Sequence, residues 1–528
     1  MNAAMSTPDG FVREVWKKIP DTVRAAFFGA VVIGLMTHIY EFTNKLYNYD
    51  ELINTPAGYG TGAESGRWFL RILGDLFGAQ FGNYSLPFIN GMLSVLLLSW
   101  SAALIAGMFR MESKFFAVML GGFCVSFPAV TSTFMFMYTA VYYSMALFFS
   151  VLAAWLMVRF PKKIVLNVLA VVLIACSLGI YQAYFPNTVS LLVMSIIFIC
   201  AFSKEEKTWK DVFFLALRYV AVLALGMILY FILHKVLVAF WGLEINSYQG
   251  LDSMGQTNIT EILLAIKNSY RDFINLFRGD VMCLNPTTYV RRCYFFMMAS
   301  WGIGSLCLLF GEKGCKVKKV FLALGFLAFP IAVYLIYIMT PNGWVYTLMA
   351  YSVVFVSVFT LVWADKFRLS FDKKDIVRKG TQWIAALTSV IMIAVYIWYG
   401  NGCYMSLEYT KYHDMAYFQT MVTQIKSLEG YNDELSLALV GNEINDATNN
   451  MGSLVGGTFG LGGKTETNIN AYSRNYIITK FLGFAPRFCE YGEIKSIMET
   501  EEFQAMPCYP DDGSIKIVDG VIVVKCME

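Results

Sequence analysis

An aspartate and a glutamate stand side by side at Asp50-Glu51, shortly after the first long apolar run of the chain. A carboxylate there can take the proton of an attacking hydroxyl that comes within hydrogen-bond reach. Farther on, Arg67 and Arg71 lie four apart, with Trp68 between them and Asp75 four residues later. Guanidinium groups match phosphate oxygens, so the pair suits an anionic lipid headgroup. On an interfacial helix, arginines also simply reach out to headgroups. Tyr181-Gln182-Ala183-Tyr184 ends another apolar run just before Pro186. Gln182 can hydrogen-bond a sugar while the tyrosines offer stacking faces, or it can make a polar contact between helices. Arg278 and Asp280 close a further amphipathic stretch, with Arg291 and Arg292 nearby.

The elements that must hold these residues are membrane helices. Of 528 residues, 57% are hydrophobic and only 15% charged, against ~45–50% and ~25% in soluble proteins. The excess comes in nearly uncharged blocks of about 20 residues, the length that crosses a hydrocarbon core. This composition excludes a soluble enzyme, a disordered chain and a disulfide-stapled secreted module. Eleven candidate spans follow, at roughly 22–41, 86–108, 115–134, 138–158, 164–180, 187–202, 212–236, 293–310, 320–339, 344–363 and 382–400.

Charge sorts them by side. With a cytoplasmic N-terminus, just over half of the 41 basic residues fall on cytoplasmic connections, from Arg13, Lys17, Lys18 and Arg24 to Lys379. The short outer turns near 135, 184 and 342 hold none. No small-residue cleavage site follows a short apolar run, so the first span is expected to remain. His38, His234 and Lys235, near span ends, read as interfacial or packing residues.

Three segments share the outer face: loops at 42–85 and 242–292, and the tail 401–528. The first loop carries an amphipathic helix over Ser65 to Phe77, with Trp68, Phe69, Ile72, Leu73 and Leu76 as its apolar stripe. The second carries one over Ile259 to Phe277. The tail reads as a small α/β domain: a helix over Met415 to Leu428, a strand over Leu435 to Val440, and a helix over Tyr472 to Phe481. A hairpin follows, of Ile515 to Val518 and Val521 to Lys525 around Asp519-Gly520, which suits a type I′ turn. The expected organisation is thus 1–400 in the membrane and 401–528 outside.

Two motifs fail. The stretch GGTFGLGGKT is no phosphate loop, because Thr458 stands where the motif requires glycine. The eleven cysteines show no Cys-x-x-Cys and no His-rich partner set, so no zinc site is expected. Cys403, Cys489, Cys508 and Cys526 in the tail allow up to two disulfides.

Asp50-Glu51 followed by Gly66-Arg67-Trp68, the Tyr181-Gln182-Ala183-Tyr184 stretch, and the ending MPCYPDDGSIKIVDGVIVVK together resemble the bacterial membrane glucosyltransferase family of the O-antigen-modifying (Gtr) type, in the GT-C class. The resemblance spans essentially the whole chain. It implies an all-α polytopic membrane fold, GT-C-like, with an extracytoplasmic α/β domain in a bacterial plasma (inner) membrane. It implies transfer of a hexose, glucose, from a polyprenyl-phosphate carrier such as undecaprenyl phosphate glucose to a cell-surface glycan or lipid-linked acceptor. Asp50 or Glu51 would be the base, although the family pair is often two aspartates. Arg67, Arg71 and Arg278 would stabilise the phosphate leaving group, with Trp68, Tyr181 and Gln182 as further substrate contacts. No cofactor, metal or nucleic acid is implied; membrane lipids and a sugar-lipid synthase and flippase of the same pathway are the expected partners. The alternative is a transporter or flippase of a polyprenyl-linked sugar or lipid. That reading expects buried charges in spans and internal repeats. Arg218 is the clearest such charge, and no repeat joins the two halves.

Overall fold

The computed structural model describes residues 7–54, 58–60, 62–203, 208–244, 258–311, 316–340, 343–367, 375–441 and 473–526. The chain forms two compact units, Met1–Asn44 with Gly58–Asn401 and Lys45–Ala57 with Gly402–Glu528. The glycine-rich stretch before Lys464 and the turn at 342 lie outside the described residues.

The helices run in chain order as α1 (Pro8–Lys18), α2 (Asp21–Thr43), α3 (Tyr49–Asn54), α4 (Trp68–Phe81) and α5 (Pro87–Met108). Next come α6 (Lys114–Ser126), α7 (Pro128–Phe134), α8 (Met137–Arg159), α9 (Ile164–Ile180), α10 (Phe185–Phe202) and α11 (Trp209–Phe240). Then follow α12 (Ile259–Arg278), α13 (Thr288–Gly311), α14 (Lys316–Val333), α15 (Ile336–Met339), α16 (Val354–Lys366) and α17 (Asp375–Lys426). The rest are α18 (Arg474–Lys480), α19 (Tyr491–Met498) and α20 (Glu501–Gln504), with strands β1 (Ser436–Val440), β2 (Ile515–Val518) and β3 (Val521–Lys525).

The eleven apolar ranges are mostly helical, with breaks at Phe127 and Tyr334-Leu335 and a non-helical start at 344–346. Among the described residues, seven helical stretches are long and apolar enough to cross a membrane, or eight if α6 and α7 form one span. That pair bends by 41° because Pro128 opens α7 and lacks the N–H that would continue α6. The ranges 164–180 and 320–339 hold shorter apolar helices. α2 and α6 pack closely through glycine: a Cβ on Gly121 would come 2.4 Å from the Ala26 carbonyl oxygen.

A buried carboxylate ties two turns of this unit together. Asp365, at the end of α16, is 1% exposed. Its oxygens accept the backbone N–H groups of Glu112 and Ser113 at 3.0 and 2.8 Å, and Lys366 lies 3.6 Å away. Asp365→Ala leaves both N–H groups without an acceptor, at about 1–3 kcal/mol each. We expect a lower midpoint in thermal unfolding of the purified variant, with Lys366→Ala milder because its ammonium is nearer solvent.

The second unit is built on a three-stranded sheet ordered β1-β3-β2. β1 pairs with β3 in parallel and β2 with β3 antiparallel. The Asp519-Gly520 turn has positive φ at both residues, 47° and 78°, which is the type I′ geometry. Leu437, Leu439, Ile522 and Val524 face Phe418, Met421, Ile425, Ile477 and Ile478. On the opposite face, Ala438, Val440 and Val523 meet Ile497, Phe503 and Met506.

Three features differ from the sequence reading. The helix expected at 415–428 is the end of α17, a 52-residue helix within which the division between units falls. α4 buries Trp68, Leu70 and Gly74, of which only Trp68 belongs to the expected stripe, and leaves Leu76 and Phe77 exposed. Cys403, Cys489, Cys508 and Cys526 carry thiols and not disulfides.

Candidate active site

The candidate carboxylates belong to the second unit. Asn48 opens α3 as its N-cap, its Oδ1 accepting the Glu51 N–H at 2.9 Å, and acidic residues in a first turn suit the helix dipole. Glu51 is 1% exposed and its Oε1 accepts from Lys45 Nζ at 2.9 Å. Asp50, its neighbour, is half-buried, and the Asp50 carbonyl accepts from Asn54 Nδ2 at 2.8 Å.

Two side chains root this short helix. Tyr47 and Leu52 are both 1% exposed and belong to the core that packs β1 and β3 against α17 and α18. The Tyr47 ring meets Phe481 at 5.1 Å. Burial first, and the Asp414 carboxylate second, raise the pKa of its phenol, so Tyr47 stays protonated. Lys411 Nζ donates to the Lys45 carbonyl at 2.8 Å. Burial, then repulsion from Lys45, lowers the pKa of Lys480. α17 thus holds the residue that holds Glu51, while α18 brings a second cation near it.

The first unit gathers most of the other candidates. Gly66 has φ 80°, which turns the chain sharply into Arg67 and α4. Gln182 Nε2 donates to the Ser65 carbonyl at 3.1 Å and to the Tyr230 hydroxyl at 3.0 Å. Both amide protons are therefore used inside the protein, pinning the turn to α11. The Arg67 guanidinium carbon lies 5.4 Å from the centroid of the Tyr181 ring, and Tyr181 stacks on Tyr143 at 4.2 Å and 11°. Cation–π contact fixes the arginine without neutralising it. Trp68 packs on Gly179, where a Cβ would come 2.6 Å from its ring. Its buried Nε1 has no hydrogen-bond partner among the described residues.

Arg71 sits one turn further, 4.5 Å over the Trp241 ring and 3.6 Å from Asp75. Asp75 also accepts from the Tyr59 hydroxyl, whose pKa is raised by burial and then by that bond. Arg278 is exposed at the C-terminal end of α12. Arg218 is committed elsewhere, donating to the carbonyls of Pro161 and Met157 at 2.6 and 2.8 Å.

The sequence reading missed Lys45, Lys411, Tyr47, Tyr143 and Tyr230. Lys411, Tyr143 and Tyr230 act across tens to hundreds of residues, and Lys45 and Tyr47 precede α3 in non-helical chain, so periodicity carries no signal for them. Among the described residues, no three His, Cys, Asp or Glu side chains group as metal ligands.

The turn at Gly66 gives a direct test. A Cβ there would come 2.4 Å from the Tyr230 hydroxyl and 2.5 Å from Gln182 Nε2, and a non-glycine residue at this φ costs about 1–2 kcal/mol. Gly66→Ala is expected to lower the thermal midpoint. Adding Tyr230→Phe and Gln182→Ala should recover the contact part of the loss and leave the backbone part.

A family profile described as Glucosyl transferase GtrII matches residues 39–357, well over half of the chain and including every residue of both candidate groups up to Arg278. No curated protein matches the chain. Among solved structures, the apo crystal structure of the Archaeoglobus fulgidus oligosaccharyltransferase aligns at 13% identity and a TM-score of 0.39. That alignment covers 80% of this chain and 63% of the archaeal one. By the extent of the profile match, the chain belongs to the Glucosyl transferase GtrII family.

Proposed function

We propose that the protein is a GT-C-type membrane glycosyltransferase that moves a hexose, glucose, from a polyprenyl-phosphate carrier to a cell-surface glycan or lipid-linked acceptor. The reaction takes place at the outer face of a bacterial plasma membrane, a reading supported by the charge asymmetry of the connections. A sugar-lipid synthase and a flippase of the same pathway supply the donor.

The observation that carries the reading is the build of the Asp50-Glu51 turn, inside the residues matched to the family. Glu51 is buried and held by Lys45, whereas Asp50 is half-buried beside it. Asp50 is the base, taking the proton of the acceptor hydroxyl as its oxygen attacks the anomeric carbon. Glu51 and Lys45 fix the turn that presents it. The bond from the anomeric carbon to the phosphate oxygen breaks, and the polyprenyl phosphate leaves with its electron pair. Arg67, Arg71 and Arg278 stabilise that growing charge. Trp68 and Tyr181 line the first-unit group, with the Trp68 indole N–H, unpartnered among the described residues, as a donor for substrate. Gln182 acts as a positioning residue, because its amide already holds Ser65 and Tyr230.

Sided vesicles test the proposal. Right-side-out vesicles given a short-chain polyprenyl-phosphoglucose should label an outer acceptor, and inside-out vesicles should not. Labelling from inside-out vesicles alone contradicts it, as does equal labelling from a nucleotide sugar without the carrier.

A further inference from the structure

The segment before the first apolar helix takes no part in this chemistry, yet it is built with care. Thr7 caps α1, its hydroxyl accepting the Gly10 N–H at 3.1 Å. Pro8 fills the first helical position and Lys17 and Lys18 close the last turn, where cations suit the dipole. Pro20 follows directly and ends it. No residue of α1 is buried.

At about 100° per residue, Phe11, Val15, Val12 and Trp16 fall on one continuous arc of about 140°. Lys18 borders one edge of the arc, Asp9 and then Arg13 follow the other, and Lys17 and Glu14 pair on the far side at 3.1 Å. The four apolar side chains are between 41% and 62% exposed. A soluble helix has no reason to show such a face to water. An interfacial helix does, with its flanking cations reaching the headgroups.

Contacts with α2 set its level. The Trp16 ring meets Phe28 edge-on at 5.9 Å, and the Arg24 guanidinium lies 5.0 Å over Trp16. Phe28 is itself 50% exposed on the outside of an apolar helix, so the face of α1 joins the surface that lipid would cover. Phe27 and Trp100 pack beside it at 4.9 Å, an aromatic girdle of the kind found at membrane interfaces. Arg13, Lys17, Lys18, Arg24 and Lys114 outnumber Asp9, Glu14 and Asp21 here.

We propose that α1 is an interfacial anchor that lies in the leaflet at the N-terminal end of α2, its Phe11–Val12–Val15–Trp16 face in the acyl boundary and its basic edges on anionic lipid headgroups. The occupant is lipid and not a partner protein, because the face is continuous with the apolar exterior of α2 and its edges carry cations. The proposal stands whether or not the transferase reading does.

A fluorescent amino acid introduced at Val12, Glu14 or Val15 of the full chain in nanodiscs tests it, with brominated lipids as depth quenchers. In discs of phosphatidylglycerol and phosphatidylcholine, positions 12 and 15 should be quenched at least threefold more than position 14. Pure phosphatidylcholine discs, or Arg13→Gln with Lys17→Gln and Lys18→Gln, should reduce that difference by half or more. Equal quenching at all three positions overturns the anchor. Quenching unchanged by both lipid composition and the charge variants overturns the anionic headgroup contact. Detergent-solubilised protein of unaltered elution volume confirms that the variants fold.

Discussion

Asp50→Asn should lower the turnover of sugar transfer about 100-fold or more, the range expected when a positioned general base is lost. Asparagine keeps the size of the side chain and the α3 turn, so the thermal midpoint should stay within about 1 °C of the wild type by ordinary surface-substitution effects. Glu51→Gln should behave differently. It removes the negative charge that faces the Lys45 ammonium at a site 1% exposed and leaves a neutral amide oxygen against a partly buried cation, a change that destabilises. Its turnover should fall about 10-fold alongside a lower midpoint, and Lys45→Met with Glu51→Gln should recover stability without recovering full activity. Single-turnover rates and melting curves on the same samples separate the two roles. Full turnover in Asp50→Asn, alone and combined with Glu51→Gln, removes the carboxylates from the mechanism.

The second large effect belongs to the roots of α3. Tyr47→Ala and Leu52→Ala each open a cavity in the tail core, at about 2–5 kcal/mol. The loss falls on the segment that carries Asp50, and a displacement of ~1 Å at a reacting group can cost ~100-fold in rate. Both variants should therefore lose at least 10-fold in turnover while the helices of the first unit keep their hydrogen-exchange protection. Tyr47→Phe keeps the ring against Phe481 and should retain most of the activity. Hydrogen exchange over residues 45–54 measures the undocking directly; protection unchanged in Leu52→Ala would show that the tail does not hold the turn.

The elements of the fold were legible because each rests on local sequence. Uncharged runs mark α2, α5, α8, α10 and α11, and the Asp519-Gly520 turn between two β-rich runs marks β2 and β3. Apolar residues recurring at helical spacing over Ile259 to Phe277 mark α12. The amphipathic stripe of α4 was less informative, since Leu76 and Phe77, apolar by type, are exposed. A stripe says which side is apolar and not whether protein or lipid covers it. The same ambiguity hid α1, whose polar residues mask a clean apolar arc.

For the candidate site, residue types were readable but their company was not. Asp50, Glu51, Arg67 and Gln182 stand out as polar groups beside apolar runs. Nothing in the sequence links Lys45 and Tyr47 to Lys411, Phe481 and the tail strands, because those contacts span more than 350 residues. The segment 45–57 reads as the start of a membrane loop, yet it is counted with the tail. Tyr47 and Leu52 explain this, since both are aliphatic or aromatic side chains that find a sheet to pack on.

The most direct test of the account is to count both products of the reaction. Purified protein in liposomes, given a polyprenyl-phosphoglucose and an acceptor glycan, should release one polyprenyl phosphate for each sugar transferred, and Asp50→Asn should release almost none. Movement of the intact glycolipid across the bilayer, with no polyprenyl phosphate formed from any donor, would contradict the account and identify the protein as a transporter.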